Sequence, residues 1–315
     1  MAKAFVFPGQ GSQFVGMGNG LAGAFAEARS VFEEVDEALH QKLSVLMFDG
    51  SEAELTLTAN AQPALMATSL AALRVLEGEL GVDLARDAAF VAGHSLGEYS
   101  ALAAAGSLTV ADAARLLRLR GEAMQRAVPV GEGMMAALIG LDYAAGAAIA
   151  AEAQEQAQAI CAVANDNGGG QIVISGAKPA VECAIELAKT KGVRRAIPLS
   201  VSAPFHCALM APAAKRMAEA LAKIDIKKPK VPVVANVLAA PVEDPREIRE
   251  RLVEQVTGTV RWRESVVFMA GRGVSEFIEL GSGKVLTGLL KRIVETATGI
   301  AVGTPDEIKA YQAFC

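Results

Sequence analysis

Hydrophobic and polar positions change period several times along the chain, and each change predicts an element. Residues 3–7 form a short apolar run stopped by Pro8-Gly9, which suits a strand. Over residues 21–47 the apolar positions Leu21, Phe25, Val31, Phe32, Val35 and Leu39 recur at helical spacing, predicting one amphipathic helix with His40 at its polar end. Asn60-Ala61-Gln62-Pro63 suits the start of a second helix running to residue 76, with proline near the first turn. An apolar strand over residues 88–92 and a helix over 97–105 come next. Thr109 then stands where it can cap a helix over 110–128.

Residues 129–133 read as a linker, and the pattern after it shortens. A strand over 134–140, an alanine-rich helix over 143–158, a strand over 160–165, a turn over 166–170, a strand over 171–175, a helix over 179–191 and a strand over 193–199 give the order β-α-β-β-α-β. That order is the ferredoxin-like pattern. Beyond it come a helix over 207–223, a strand over 231–235, helices over 246–256 and from 262 to 271, a strand over 276–280 and a helix over 284–294. The tail from Thr304 gives no reading. Strands alternating with helices argue a mainly parallel sheet covered on both faces. The expected organisation is a large α/β domain of residues 1–129 and 203–315, with a small inserted subdomain over 130–202.

Composition narrows the function classes. Hydrophobic residues make up 52% of the 315 and charged ones 21%, so the chain has enough apolar surface for a large core and is not a disordered polymer. A net charge of −5 gives nucleic acid no general attraction. Cys161, Cys183, Cys207 and Cys315 show no C-x-x-C spacing, so they read as free thiols, with no metal site and no disulfide framework. The N-terminal apolar run is broken by Pro8 too early for a signal peptide, and no apolar run is long enough to span a membrane. A soluble cytoplasmic protein is expected.

The sharpest chemistry lies at Gly93-His94-Ser95-Leu96-Gly97, a G-x-S-x-G placed between a strand and a helix. A serine on so tight a turn needs tiny neighbours, and the helix start behind it favours developing negative charge. Serine is a weak nucleophile and needs a base, usually histidine. His40 sits on a polar helix end. His94 adjoins Ser95, and consecutive side chains on a tight turn point apart, so it reads as a packing or hydrogen-bonding residue. His206 is left as the base. No acid stands out to orient it: Asp225 and Asp244 lie near charged runs, and a backbone carbonyl can also fix an imidazole, so the expectation is a Ser-His dyad. The loop Pro8-Gly9-Gln10-Gly11-Ser12-Gln13 is neither G-x-G-x-x-G nor a P-loop. It is a plain connection or a backbone donor for an oxyanion. Of the helix arginines 115, 118, 120 and 126, Arg120 stands apart only because Gly121 follows it and allows a close approach. Asn165 belongs to a hairpin turn or faces a cleft between the domains.

These residues carry a resemblance. Phe7-Pro8-Gly9-Gln10-Gly11-Ser12-Gln13, Gly93-His94-Ser95-Leu96-Gly97-Glu98, Arg120-Gly121 and Phe205-His206 stand in the order and approximate spacing of the malonyl-CoA:acyl carrier protein transacylase family. Asn60-Ala61-Gln62-Pro63-Ala64, residues 170–176 and residues 283–289 resemble further family segments, so the likeness spans essentially the whole chain. It implies an α/β-hydrolase-like core with an inserted ferredoxin-like subdomain. It also implies Ser95 as nucleophile, His206 as base, and the backbone N–H groups of Gln10 and Leu96 as oxyanion donors. Arg120 would bind the malonyl carboxylate, a role that suits an always-charged bidentate guanidinium. Gln62 and Asn165 would lie near the acyl pocket, and Phe205 resembles the malonyl-selective version of its motif.

One departure is Arg261, where some members carry glutamine before the tryptophan. The resemblance makes the backbone carbonyl of that position an orienter of His206. The expected partners are malonyl-CoA and acyl carrier protein, with no metal, no cofactor beyond the thioester substrate, no nucleic acid, no membrane and a monomeric chain. Lys189, Lys191, Arg194, Arg195, Lys215 and Arg216 could form a basic patch for an acidic carrier. Two other functions share some of these features: a serine thioesterase, and a catalytically silent docking module of a larger synthase.

Overall fold

Alternation in the first strand sets the architecture. In the computed structural model, which describes residues 2–314, Ala2–Phe7 (β1) places Phe5 and Phe7 in one hydrophobic cluster and Ala4 and Val6 in another. Successive side chains of a strand point to opposite faces, so a strand apolar at every position is one buried on both sides. Cys315, counted above among the free thiols, lies outside the described residues.

Asn19–Ala24 (α1), Ala26–Leu39 (α2), Leu43–Asp49 (α3), Glu52–Thr56 (α4), Thr58–Leu80 (α5) and Leu84–Asp87 (α6) follow. The single helix expected over 21–47 is thus three. Phe25 is extended between the first two, and His40, exposed and in the left-handed region at φ 49°, ends the second. The breaks let Leu21, Val31, Phe32 and Val35 all reach one core. Then come Phe90–Gly93 (β2), Gly97–Ala104 (α7) and Val110–Ala127 (α8), which Thr109 caps by accepting from the Asp112 amide.

The inserted segment holds Gly133–Ile139 (β3), Tyr143–Ala157 (α9), Cys161–Asp166 (β4), Gln171–Ala177 (β5), Lys178–Thr190 (α10) and Arg195–Pro198 (β6). The remainder holds a single 3-10 turn Ala208–Met210, then Ala211–Leu221 (α11), Val233–Ala235 (β7), Ala240–Val242 (β8), Pro245–Gln255 (α12), Trp262–Gly271 (α13), Val274–Leu280 (β9), Val285–Ile293 (α14), Thr298–Val302 (β10) and Pro305–Phe314 (α15). β8, β10 and α15 are not in the sequence expectation.

Six strands form the main sheet in the order β10-β9-β1-β2-β7-β8, parallel except for the β7–β8 pair. On one face the α2, α5, α7 and α8 residues Phe32, Leu65, Leu102 and Leu117 pack with Phe5 and Phe7. On the other, Trp262, Val266 and Leu289 pack with Ala4 and Val6. The inserted strands form a second, antiparallel sheet, β4-β5-β3-β6, the ferredoxin-like order. Its alternation decides where the site lies. Ala136, Leu138 and Ile174 face α9 and α10, whereas Met135, Ala137, Ala164 and Val173 join the core of the main domain. One face of the small sheet is therefore a wall set against the C-terminal ends of β1 and β2. Among the described residues, no helix is long and apolar enough to cross a membrane.

Candidate active site

β2 ends at Gly93 and α7 begins at Gly97, and the chain turns between them on Ser95 at φ 54°. A left-handed non-glycine residue costs about 1–2 kcal/mol and persists only where its surroundings hold it. A Cβ on Gly93 would lie 1.9 Å from the Gly97 carbonyl, and one on Gly97 would lie 2.2 Å from the Phe7 oxygen, so the turn closes only with glycine at both places. Side chains then pin it. Ser95 donates its backbone N–H to Asn236 Oδ1 (2.7 Å), and its carbonyl accepts from Gln255 Nε2 (3.0 Å). Asn236 Nδ2 donates to the Gly93 carbonyl (2.7 Å).

His206 reaches the serine from the loop before the 3-10 turn, itself left-handed at φ 59°. Its Nε2 lies 2.8 Å from Ser95 Oγ. Its Nδ1 faces two carbonyl oxygens, of Gln255 at 2.8 Å and Gly258 at 3.1 Å. Carbonyls only accept, so the proton sits on Nδ1 and Nε2 is free to accept from the serine hydroxyl. Among the described residues no carboxylate touches the ring, and Asp244 instead caps α12. Arg261 does not orient the base either. Its carbonyl accepts from the N–H (3.0 Å) and Oγ (2.9 Å) of Ser265, and its guanidinium lies on Glu264 and the carbonyls of Val237 and Leu238. Burial, with the Arg120 charge behind it, pushes the imidazole down to about 3. The base is thus unprotonated across the neutral range. Labelling of Ser95 by an uncharged fluorophosphonate should stay level from about pH 8 to about pH 5. A fall centred near the ordinary histidine value would contradict this.

The N–H groups of Gln10 and Leu96 donate to no acceptor among the described residues, and both residues line the cleft that holds Ser95. The Gln10 side chain is fixed separately, its Oε1 accepting from Thr58 Oγ1 at 2.5 Å. Leu96 is the residue before the α7 N-terminus; the N–H groups of Gly97, Glu98 and Tyr99 are taken by the carbonyls of His94, Ser95 and Leu96, so its own N–H and the helix dipole are what favour an anion there.

Arg120 comes from α8 and is 1% exposed. Gly121 beside it lets the two long helices meet: a Cβ there would lie 2.6 Å from both Ala59 Cα and the Thr58 oxygen. The guanidinium donates to Gln62 Oε1 (2.8 Å), Gln255 Oε1 (2.9 Å) and Ser95 Oγ (3.0 Å), and lies over the Tyr99 ring at 5.7 Å. Its Nε–H has no partner among the described residues, and no carboxylate lies within ion-pair distance. A buried cation so placed is ready for an anion next to the nucleophile.

All eight residues singled out from the sequence (Ser95, His206, Gln10, Leu96, Arg120, Gln62, Asn165 and Phe205) line one cleft of about 290 Å³, with Met124, Met135 and Leu199 as apolar walls. Asn165 sits at the β4 bulge, facing that cleft from the inserted sheet. His94 also borders the cleft, but its ring is engaged away from Ser95 Oγ: its Nε2 is 2.9 Å from Asn167 Oδ1 and the ring lies against Trp262. Three residues that hold the site were not singled out: Asn236, Gln255 and Glu98. Two had a signal. Ile248, Leu252 and Gln255 share the buried face of α12, so the glutamine is a polar residue on an apolar stripe. Asn236 follows β7 directly, at the carboxyl edge of the sheet where sites of open α/β folds gather.

The acyl transferase domain family model matches residues 4–305. A malonyl CoA-acyl carrier protein transacylase of Bacillus subtilis (strain 168) is 49% identical over 306 residues, covering 97% of this chain and 95% of its own. A crystal structure of acyl-carrier-protein-S-malonyltransferase from Bartonella henselae matches with TM-score 0.96 at 55% identity, over 100% of this chain and 99% of the other. A malonyl-transacylase solved in complex with its type II PKS acyl-carrier protein matches with TM-score 0.96 at 43% identity, over 100% of each chain.

Proposed function

The chain belongs to the acyl transferase domain family, and we propose that it moves a malonyl group from coenzyme A to the phosphopantetheine thiol of an acyl carrier protein, for fatty acid synthesis, through an ester on Ser95. The observation that carries the choice of acyl group is the buried Arg120 guanidinium 3.0 Å from Ser95 Oγ. An acyl group bearing a carboxylate one methylene beyond the ester carbonyl would bring that carboxylate to the guanidinium.

In this reading His206 Nε2 takes the Ser95 proton as Oγ attacks the thioester carbon. The Gln10 and Leu96 N–H groups receive the oxyanion, and losing one such donor typically costs about 3 kcal/mol. The intermediate collapses, the carbon–sulfur bond breaks, and coenzyme A leaves as a thiol with the proton from His206. The carrier's thiol then gives its proton to His206 and attacks the ester, and Ser95 recovers its hydroxyl proton. Coenzyme A enters as substrate, and no metal or other cofactor has a role. The same reading has the chain acting as a monomer in the cytoplasm; the free thiols of Cys161, Cys183 and Cys207 support a reducing compartment.

Intact-protein mass after brief mixing with malonyl-CoA, followed by addition of a phosphopantetheine-bearing carrier, tests the whole scheme. A malonyl adduct that passes to the carrier is the expected result; an adduct cleared by water with the carrier unlabelled would make the chain a thioesterase.

The basic residues named above divide into two sets. Lys189, Lys191 and Arg216 pair with Glu186, Glu152 and Glu219. Arg194, Arg195 and Lys215 are exposed and pair with no carboxylate among the described residues, so they have charge to offer an acidic carrier. Lys215→Glu combined with Arg194→Glu should raise the KM for carrier by about 3- to 10-fold through slower encounter. Acylation by malonyl-CoA should be unchanged, and an unaltered carrier KM would remove both residues from docking.

A further inference from the structure

Glu98 follows Gly97 on the first turn of α7, beneath the elbow, and is 2% exposed. The transfer scheme gives it nothing to do, yet a carboxylate is costly to bury and must have compensation. Its Oε2 accepts two hydrogen bonds at once, from the Asn236 N–H (3.0 Å) and from Gln255 Nε2 (2.9 Å). Gln255 passes the interaction on, because its Oε1 accepts from Arg120 Nη2 at 2.9 Å. One amide thus stands between a buried carboxylate and a buried guanidinium. The polarity of that amide is fixed: an ionised carboxylate only accepts, so the NH2 of Gln255 must face Glu98 and the Ser95 carbonyl, which leaves its oxygen for Arg120.

Among the described residues no other negative charge serves Arg120. Besides Arg120 on α8, the ionisable groups around Glu98 are Tyr99 on its own helix and, within the same site, His94 and His206, all three kept neutral by burial. Of the packed elements, β2 (Phe90–Gly93), β7 (Val233–Ala235) and residues 58–73 of α5 are uncharged, and α12 buries only Ile248, Leu252 and Gln255, none of them charged. On β1, Lys3 is engaged with Glu276 at 3.8 Å.

We propose that Glu98 is the counter-charge of Arg120, held at one amide's remove, and that it takes up a proton when an acyl carboxylate occupies the guanidinium. Two carboxylates facing one buried cation cannot both stay ionised cheaply, and the one without direct contact yields. The inference rests on the malonyl reading above and deepens it: Glu98 becomes a positioning residue that sets how well carboxylated acyl groups compete with neutral ones. Burial already pushes its carboxyl up to about 7, against the pull of its two hydrogen bonds and of Arg120, so the proton is available near neutrality.

The sign follows from linkage. Below about 7 Glu98 is protonated before the substrate arrives and no proton need be taken up. Above that, each pH unit costs carboxylate binding up to about tenfold. A neutral acyl group leaves the Glu98–Arg120 pair undisturbed.

The test is kcat/KM for malonyl-CoA divided by that for acetyl-CoA, measured between about pH 6 and pH 9. The ratio cancels ionisations that both donors share, including those of coenzyme A. The wild-type ratio is expected to fall about tenfold or more as pH rises from about 7 to about 9, and the Glu98→Gln ratio to stay level. A level wild-type ratio, or the same slope in Glu98→Gln, overturns the proposal. Should Glu98→Gln fail to fold, malonyl-CoA binding to Ser95→Ala in two buffers of different ionisation heat decides. Proton uptake near pH 8 supports the role of Glu98, and its absence overturns it. A wild-type chain that forms no malonyl ester at all would instead overturn the malonyl reading.

Discussion

Ser95→Ala is expected to leave the chain folded and malonyl-CoA bound while removing transfer by at least about 10⁴-fold, the scale on which loss of a nucleophile is felt in serine enzymes. The mass adduct should vanish with it. The substitution deletes one oxygen and no backbone contact: the Asn236 and Gln255 bonds to the elbow run to the main chain of residue 95, so the turn keeps its supports. The left-handed φ is tolerable for alanine at a cost of about 1–2 kcal/mol, much as it is for serine. A thermal midpoint close to wild type combined with residual transfer above a hundredth would argue that another group carries the acyl chain.

Arg120→Ala should act on the choice of acyl group. Truncating one partner of a buried hydrogen-bonded charge pair costs about 2–5 kcal/mol, so malonyl transfer is expected to fall on the order of 10³-fold. Acetyl transfer, which asks nothing of the guanidinium charge, should hold or rise. The clean readout is therefore the malonyl-to-acetyl ratio of kcat/KM, expected to invert. Arg120 also donates to Ser95 Oγ and to Gln62 and Gln255, contacts that both donors share, so the ratio isolates the guanidinium charge better than either rate does. A ratio that stays at the wild-type value would remove the assigned role whatever the absolute rates.

The parts of this site that act locally could be read from the sequence. The elbow announces itself because a strand, two glycines, a serine and a helix are contiguous. His206 follows from scarcity, since His40 is solvated and His94 turns away to Asn167. Arg120 is set apart locally only by the Gly121 that follows it, where α5 comes close; its role with a carboxylate comes from the family resemblance. The framework behind these groups is written differently. Glu98 and Gln255 are 157 residues apart and Ser95 and Asn236 are 141, so no local pattern connects them. The orienting carbonyl was expected at Arg261 and lies instead at Gln255 and Gly258, because the stretch between α12 and α13 offers several carbonyls and only the packed structure selects which ones face the imidazole. Among the elements, β10 leaves little mark in the sequence because it is a half-exposed edge strand with little apolar alternation. Residues 21–47 read as one helix because the periodicity survives two breaks that keep the same face inward.

The two carbonyl oxygens at 2.8 and 3.1 Å behind His206 have a consequence for what can attack the acyl ester. A carboxylate there would stabilise the imidazolium and make a strong base. Neutral carbonyls, with a buried arginine nearby, make a weak one. Nucleophiles differ greatly in how much help they need: a thiol ionises near about 8.5, water near about 15.7. A weak base can serve Ser95, an alcohol about as weakly acidic as water, because that hydroxyl is held 2.8 Å from Nε2; a free water has no such hold, and a thiol needs far less help. In the proposed transfer the two competing acceptors are therefore sorted by acidity and hold as well as by shape, and a malonyl ester waiting for its carrier would be guarded against hydrolysis by a charge that is not present.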